Sequence, residues 1–171
     1  INNFPISYQP MPESFVRALV TIKMVAAEAN ASLDCIKEEM AKAIVDAGAS
    51  LLADKSMMQH FPIDIFQTGS GTSSNMNANE VIATIAERDS GLAVDPNDHV
   101  NFGQSSNDVV PTAIHVSAAI DVAQNLLPAL DYLENGIRTK AQEVKGYCKT
   151  GRTHLMDAMP VRMDQTLLGW A

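Results

Sequence analysis

The chain has 171 residues, 46% of them hydrophobic, and its 20 acidic against 12 basic side chains give a formal net charge of −8. That length suits one compact domain or part of a larger protein, while the acidic balance argues against nucleic acid and anionic membrane surfaces as partners. No apolar run is read as approaching the roughly 20 residues of a membrane-spanning helix, and no leader pattern is read at the start, so a soluble, cytoplasmic protein is expected.

In chain order, "MPESFVRALVTIKMVAAEAN" places Phe15, Leu19, Ile22 and Ala26 on one face at helical spacing, with Pro12 and Glu13 suited to a first turn. Ser32 is a candidate N-cap for a second helix carrying Ile36, Met40, Ile44, Ala47 and Leu51, slightly weakened by Gly48. "HFPIDIFQ" alternates like a strand, but Pro62 demotes it to an edge strand or extended connector. A third helix is expected from about Asn75 to Arg88, followed by a long loop through "DSGLAVDPNDHVNFGQ".

From Asn107 to about Val144 the chain has almost no breaker, and Val116, Ile120, Ala123, Leu127, Leu130, Leu133 and Ile137 keep a helical repeat. One unusually long helix of a bundle is expected, with Pro111 tolerated in its first turn. "GYCKTGRTHLMDAMP" breaks the pattern, and Pro160 is read as opening a last helical run to Ala171. The fold class is therefore mainly α: a small N-terminal helical domain with a short extended segment over residues 1–103, then the start of a long helical bundle over 104–171. Beginning at Ile1 and stopping in the apolar run "LLGWA", the chain reads as a fragment of a longer protein. Cys35 and Cys148, each in a helical pattern, are expected to be reduced, partly buried thiols, too few for a four-thiolate metal or iron–sulfur site.

Three polar clusters carry the candidate chemistry. "QTGSGTSSNMNANE", Gln67 to Glu80, lacks the Lys of a phosphate-cradling loop, and Ser74 stands where a dinucleotide fingerprint wants its last Gly. What remains is small residues ahead of a helix, where free N–H groups and the positive dipole end favour an anion; Ser70, Thr72 and Asn75 add neutral donors suited to a carboxylate. "QSSNDVVPTAIH" repeats the design with Ser105, Ser106 and Asn107, although capping by Ser106 or Asn107 would account for one of them. His115 on the following helix is expected to be a hydrogen-bonded structural histidine. In "GRTHLMDAMP", His154 can pass a proton near neutral pH and Thr153 can donate to a carboxylate beside it. "DPNDHVNFGQSS" fails as a calcium loop, because Val100 holds the sixth position and Ser106 the twelfth.

Together "TGSGTSSNMNANEVIA", "PNDHVNFGQSSNDVVPTAIHVSAA" and "GRTHLMDAMP" resemble class II fumarase of the fumarase and aspartase superfamily, in the same order and from about Pro10 to Ala171. Aspartases are similar but typically read "QSTND" and "GRTQ", so "QSSND" and "GRTH" favour the fumarases. The resemblance implies a lyase of the tricarboxylic acid cycle that adds water reversibly to fumarate to give L-malate, through an aci-carboxylate intermediate and without metal or organic cofactor. Carried over by residue, Ser70, Gly71, Thr72, Ser105, Ser106 and Asn107 would bind substrate. Thr153 and His154 would come from another subunit of a homotetramer, with His154 as the catalytic proton carrier. Asn97 and Asp98 match part of a second dicarboxylate site of the family, from which Asp95 departs by standing where the family pattern has a histidine. The family's mobile loop "GSSxMPxKxN" and a downstream Glu that orients the histidine are not in this sequence, so the chain alone is expected to be inactive. The alternatives are an aspartate ammonia-lyase and a non-catalytic helical assembly module.

Overall fold

The computed structural model describes residues 6–171, and the chain divides into two compact units, Ile1–Ala119 and Ile120–Ala171. In the first unit, α1 (Glu13–Ser32) and α2 (Glu38–Ala53) pack against each other and against α3 (Thr72–Ser90). Leu19, Val20, Ile44, Leu51 and Ile82 are fully buried where the helices meet, with Met57, Phe61, Val94, Val100, Val109 and Ala113 continuing the core. Of the expected apolar face of the second helix, Ile44, Ala47 and Leu51 are buried and Met40 is half-buried on α2, while Ile36 is buried just ahead of it. Gly48 faces Met24 of α1: a Cβ there would lie 2.5 Å from Met24 Cγ, so a larger residue would require the Met24 side chain to move aside.

The boundaries differ from the sequence reading in instructive ways. Ser32 does not cap α2; it ends α1, its hydroxyl donating to the Ala29 carbonyl at 2.7 Å, and α2 begins after Lys37. Between them Asp34 takes φ 56 and Cys35 N–H returns to the Asn30 carbonyl, closing a turn that tucks Ile36 into the core. Of the two readings of "HFPIDIFQ", the extended connector is the observed one, joined to the N-terminal segment by a bridge between Pro10 and Asp64. Within the expected loop, Pro96–Val100 forms a π-helical turn.

Helix α4 (Ser106–Asp121), a π-helical turn (Val122–Leu126) and α5 (Leu127–Glu143) form one continuous helical run of 38 residues, as the uninterrupted periodicity predicts. Pro111 lies inside α4 rather than in its first turn, which leaves the Asn107 carbonyl without the N–H it would accept from in a regular helix. Contrary to the expectation from apolar run length, this helix is long and apolar enough to cross a membrane by length and composition alone.

The second unit corrects the sequence reading most. "GYCKTGRTHLMDAMP" is an antiparallel hairpin of β1 (Cys148–Thr153) and β2 (Met156–Arg162), and Pro160 pairs with Thr150 instead of opening a helix. Only the short α6 (Met163–Leu168) follows. Gly151 sits at the register shift, where a Cβ would meet the Met159 carbonyl oxygen at 2.9 Å, so the bulge needs a glycine. Both thiols are free and exposed rather than partly buried, and Cys148 is on a strand.

Candidate functional site

Gly71 precedes α3 with φ 74, and a Cβ there would lie 2.8 Å from Val110 Cγ1 of α4. Glycine is thus demanded twice, by a left-handed backbone and by the close approach of the two helix starts that carry the first two polar clusters. Thr68 covers part of the opening of α3, its hydroxyl accepting from Ser73 N–H at 3.0 Å. The Ser70 and Thr72 hydroxyls are 3.0 Å apart, exposed and half-buried respectively.

At the start of α4 the cap is Ser105, not Ser106 or Asn107: its hydroxyl accepts from Asn107 N–H at 3.2 Å and its carbonyl from Val109 N–H at 2.9 Å. That frees the other two side chains for different work. Ser106 Oγ accepts from the Asn75 amide at 3.0 Å, so the hydroxyl proton of Ser106 is left to point elsewhere. Asn75, wholly buried on α3, therefore joins the two clusters. Its amide also donates to Asn101 Oδ1 at 3.3 Å.

Beneath this link lies Lys23 of α1, at 0% exposure. Its ammonium donates to Asn101 Oδ1 at 2.9 Å and Gln104 Oε1 at 2.8 Å, and Gln104 in turn donates to the Val100 carbonyl. Burial lowers the Lys23 pKa to about 8, because the charged form loses hydration that neutral amide oxygens replace only in part. Sequence reading missed Lys23, yet a signal existed: it stands four residues after Leu19 and four before Ala27, on the buried stripe of α1. The first turns of α3 also bury Ser74 Oγ, Asn75 Oδ1 and Asn79 Oδ1 without a hydrogen-bond partner among the described residues. Orphaned polar atoms are rare in folded chains; of these three residues Asn75 belongs to the link between the clusters, whereas Ser74 faces Val16, Leu19 and Phe61.

Asp95, Asn97 and Asp98 stand together at the π-helical turn. Asp95 Oδ1 accepts from Asn97 N–H at 2.7 Å and Asp98 N–H at 2.8 Å, while its own N–H donates to His99 Nδ1. The Asp98 and Asn97 amides hold the Asp95 carboxyl below its ordinary pKa, so it remains an anion and a cap. The backbone donors of this turn are thereby already engaged by a negative side chain.

Thr153 and His154 belong to the second unit. His154 and Leu155 form the hairpin tip with φ 51 and φ 64, the two positive dihedrals of the turn that matches strand twist. The histidine is exposed, as is the tip around it, with Leu155 at 96%. Arg152 and Asp157, from the same motif, pair across the strands at 3.4 Å. His115, expected to be a hydrogen-bonded structural histidine, is exposed on α4. Among the described residues no group of three or more His, Cys, Asp or Glu side chains could hold a metal ion.

The family model described as "Lyase" matches residues 3–171. The class II fumarate hydratase 2 of Pseudomonas aeruginosa is 61% identical over 171 residues, covering all of this chain and 37% of its own length. That of Xylella fastidiosa is 53% identical, again over the whole chain and 36% of its own length. Among solved structures, the class II fumarase of Schistosoma mansoni superposes with a TM-score of 0.91 at 41% identity, covering 99% of this chain and 37% of that one. The fumarate lyase:delta crystallin of Brucella melitensis gives 0.89 at 38% identity, over 99% and 41%. The chain thus spans somewhat over a third of the length of these relatives, and it belongs to the lyase family that contains the class II fumarate hydratases.

Proposed function

We propose that the chain is an N-terminal portion of a fumarate hydratase, which interconverts fumarate and L-malate once the rest of the protein and its partner subunits complete the site. The observation that carries this reading is the Asn75–Ser106 hydrogen bond at 3.0 Å, which ties the two carboxylate-suited clusters together and leaves a hydroxyl donor on Ser106. In the dehydration direction a base removes a proton next to a carboxylate, and the aci-carboxylate that forms carries extra negative charge. Pre-placed hydroxyl, amide and N–H donors at helix N-termini stabilise that charge without having to reorganise.

In this reading Ser70, Gly71, Thr72, Ser105, Ser106 and Asn107 bind a substrate carboxylate. Thr153 and His154 act from a different subunit of a homotetramer, with His154 moving a proton through water. The open hairpin tip supports that assignment, since a histidine held in a left-handed turn and exposed to solvent is presented outward rather than packed into its own unit. A second dicarboxylate subsite at Asn97 and Asp98 would have to tolerate the Asp95 carboxylate. The exposed apolar side of the long helix is read as bundle surface in a cytoplasmic enzyme rather than as a membrane span.

The test is ultraviolet loss of fumarate by the full-length protein, in water alone and with added ammonia. Ammonia-independent loss with malate as product is expected. Loss only in the presence of ammonia would make the protein an aspartate ammonia-lyase, and no loss in either would leave an assembly module with the family fold.

A further inference from the structure

We propose that Lys23 is a positioning residue for the substrate-binding hydroxyl of Ser106, acting on it through Asn101 and Asn75. The inference deepens the fumarate hydratase reading and rests on it. Its basis is a continuous chain of hydrogen bonds from a fully buried cation to the candidate site. Lys23 Nζ donates to Asn101 Oδ1 at 2.9 Å, Asn75 Nδ2 donates to that same oxygen at 3.3 Å, and Asn75 Nδ2 donates to Ser106 Oγ at 3.0 Å.

The direction of each bond matters. An asparagine amide can turn over and exchange its oxygen for its nitrogen, but Lys23 has only donors to offer. Facing the ammonium, Asn101 must present Oδ1, and its Nδ2 then donates to the Gln104 carbonyl at 3.3 Å. With Asn101 Oδ1 so placed, Asn75 must present Nδ2 to it, and the same nitrogen reaches Ser106. Ser106 Oγ is thereby made an acceptor toward the protein, and its proton is committed to the ligand side. The second Lys23 contact, to Gln104 Oε1 at 2.8 Å, orients Gln104 so that its nitrogen donates to the Val100 carbonyl, which anchors the loop that leads into α4.

A lysine with a purely structural part could be replaced there by an apolar side chain at a gain in hydration energy, because burying a charge without an anion is costly. Lys23 has no carboxylate partner among the described residues, and burial lowers its pKa. The positive charge lies below a cluster whose proposed ligand is a dianion, so bound substrate supplies the missing counter-charge.

The experiment measures kcat and KM for fumarate in the full-length enzyme for wild type, Lys23→Met, Asn75→Ala and the double variant. Wild-type hydration tests the underlying reading, and its absence overturns both proposals. Given wild-type activity, Lys23→Met is expected to lower kcat/KM about tenfold or more by misplacing the hydroxyl donor. The double variant should lose no more than Asn75→Ala alone, since both substitutions cut one chain. If Lys23→Met does not fold, Lys23→Gln, which fills the stem's space and keeps a neutral donor, replaces it in the same cycle. Losses that multiply, or a Lys23 variant within twofold of wild type, would overturn the positioning role while leaving the fumarate hydratase reading intact.

Discussion

The first unit folds around itself, whereas the second leaves its apolar residues uncovered. Among the described residues of 120–171, only Ala141 and Asp164 are buried, while Leu127, Leu130, Leu133, Tyr147 and Trp170 are exposed. The first unit closes Leu19, Ile44 and Ile82 completely. Yet the local geometry of the second is well defined, with a register-shifted hairpin and the Arg162 guanidinium on Asp164 at 2.9 and 3.1 Å. Hydrogen bonds and turn chemistry can specify an element before any core encloses it, but burial is needed to stabilise it.

Core truncation should break this contrast most visibly. In the 171-residue chain, Leu19→Ala is expected to cost about 3 kcal/mol through lost burial and a cavity, read as a drop in urea midpoint. Leu133→Ala, at a side chain 56% exposed, should stay within about 0.5 kcal/mol in the same chain. A comparable loss at Leu133 would mean that its face is covered in solution.

Chemistry should follow the opposite order. His154→Asn in the full-length protein, where asparagine tolerates the left-handed backbone, is expected to cut turnover by about 10² or more with little change in melting temperature. Near-normal turnover would remove His154 from the mechanism. Gly71→Ala should destabilise the first unit by about 2 kcal/mol, from the left-handed φ and contact with Val110, and should raise KM for fumarate by separating the two helix starts.

The smallest effect concerns pH. The Lys23 pKa, about 8 when folded against an ordinary 10.5, lies below its unfolded value, so the penalty of burying its charge is fully present below pH 8. It is relieved as pH rises from 8 toward 10.5, because the unfolded chain then binds the proton that the folded one has released. The melting-temperature gap between wild type and Lys23→Met should accordingly shift in favour of wild type over that window. A gap that stays constant would show that Lys23 titrates normally.

Much of the helical architecture was legible in the sequence because it is written in local periodicity. Phe15 and Leu19, the stripe from Ile36 to Leu51, and the repeat from Val116 to Ile137 each mark a helix without reference to anything distant. The clusters around Ser70 and Ser105 were legible by composition, and "GRTH" by wording. The hairpin was not, since its turn uses His154 and Leu155 at positive φ where glycine or asparagine is the usual signal. Pro160 likewise resembled a helix start because its place on a two-stranded edge depends on pairing with Thr150.

The predominance of helix, the length of the Ser106–Glu143 run, the order of the polar motifs and the family they mark can all be read from residues close together in the chain. That Asn75 meets Ser106, that Gly71 is needed for the close approach of two helix starts, that Ser105 is the cap and that Lys23 is buried all emerge once the chain has folded. Helical periodicity is a property of neighbours within a few residues and can be read along the chain. Contacts such as Lys23 with Asn101, separated by 78 residues, arise when hydrophobic burial brings distant segments together, and no local pattern encodes which polar atoms will then face each other.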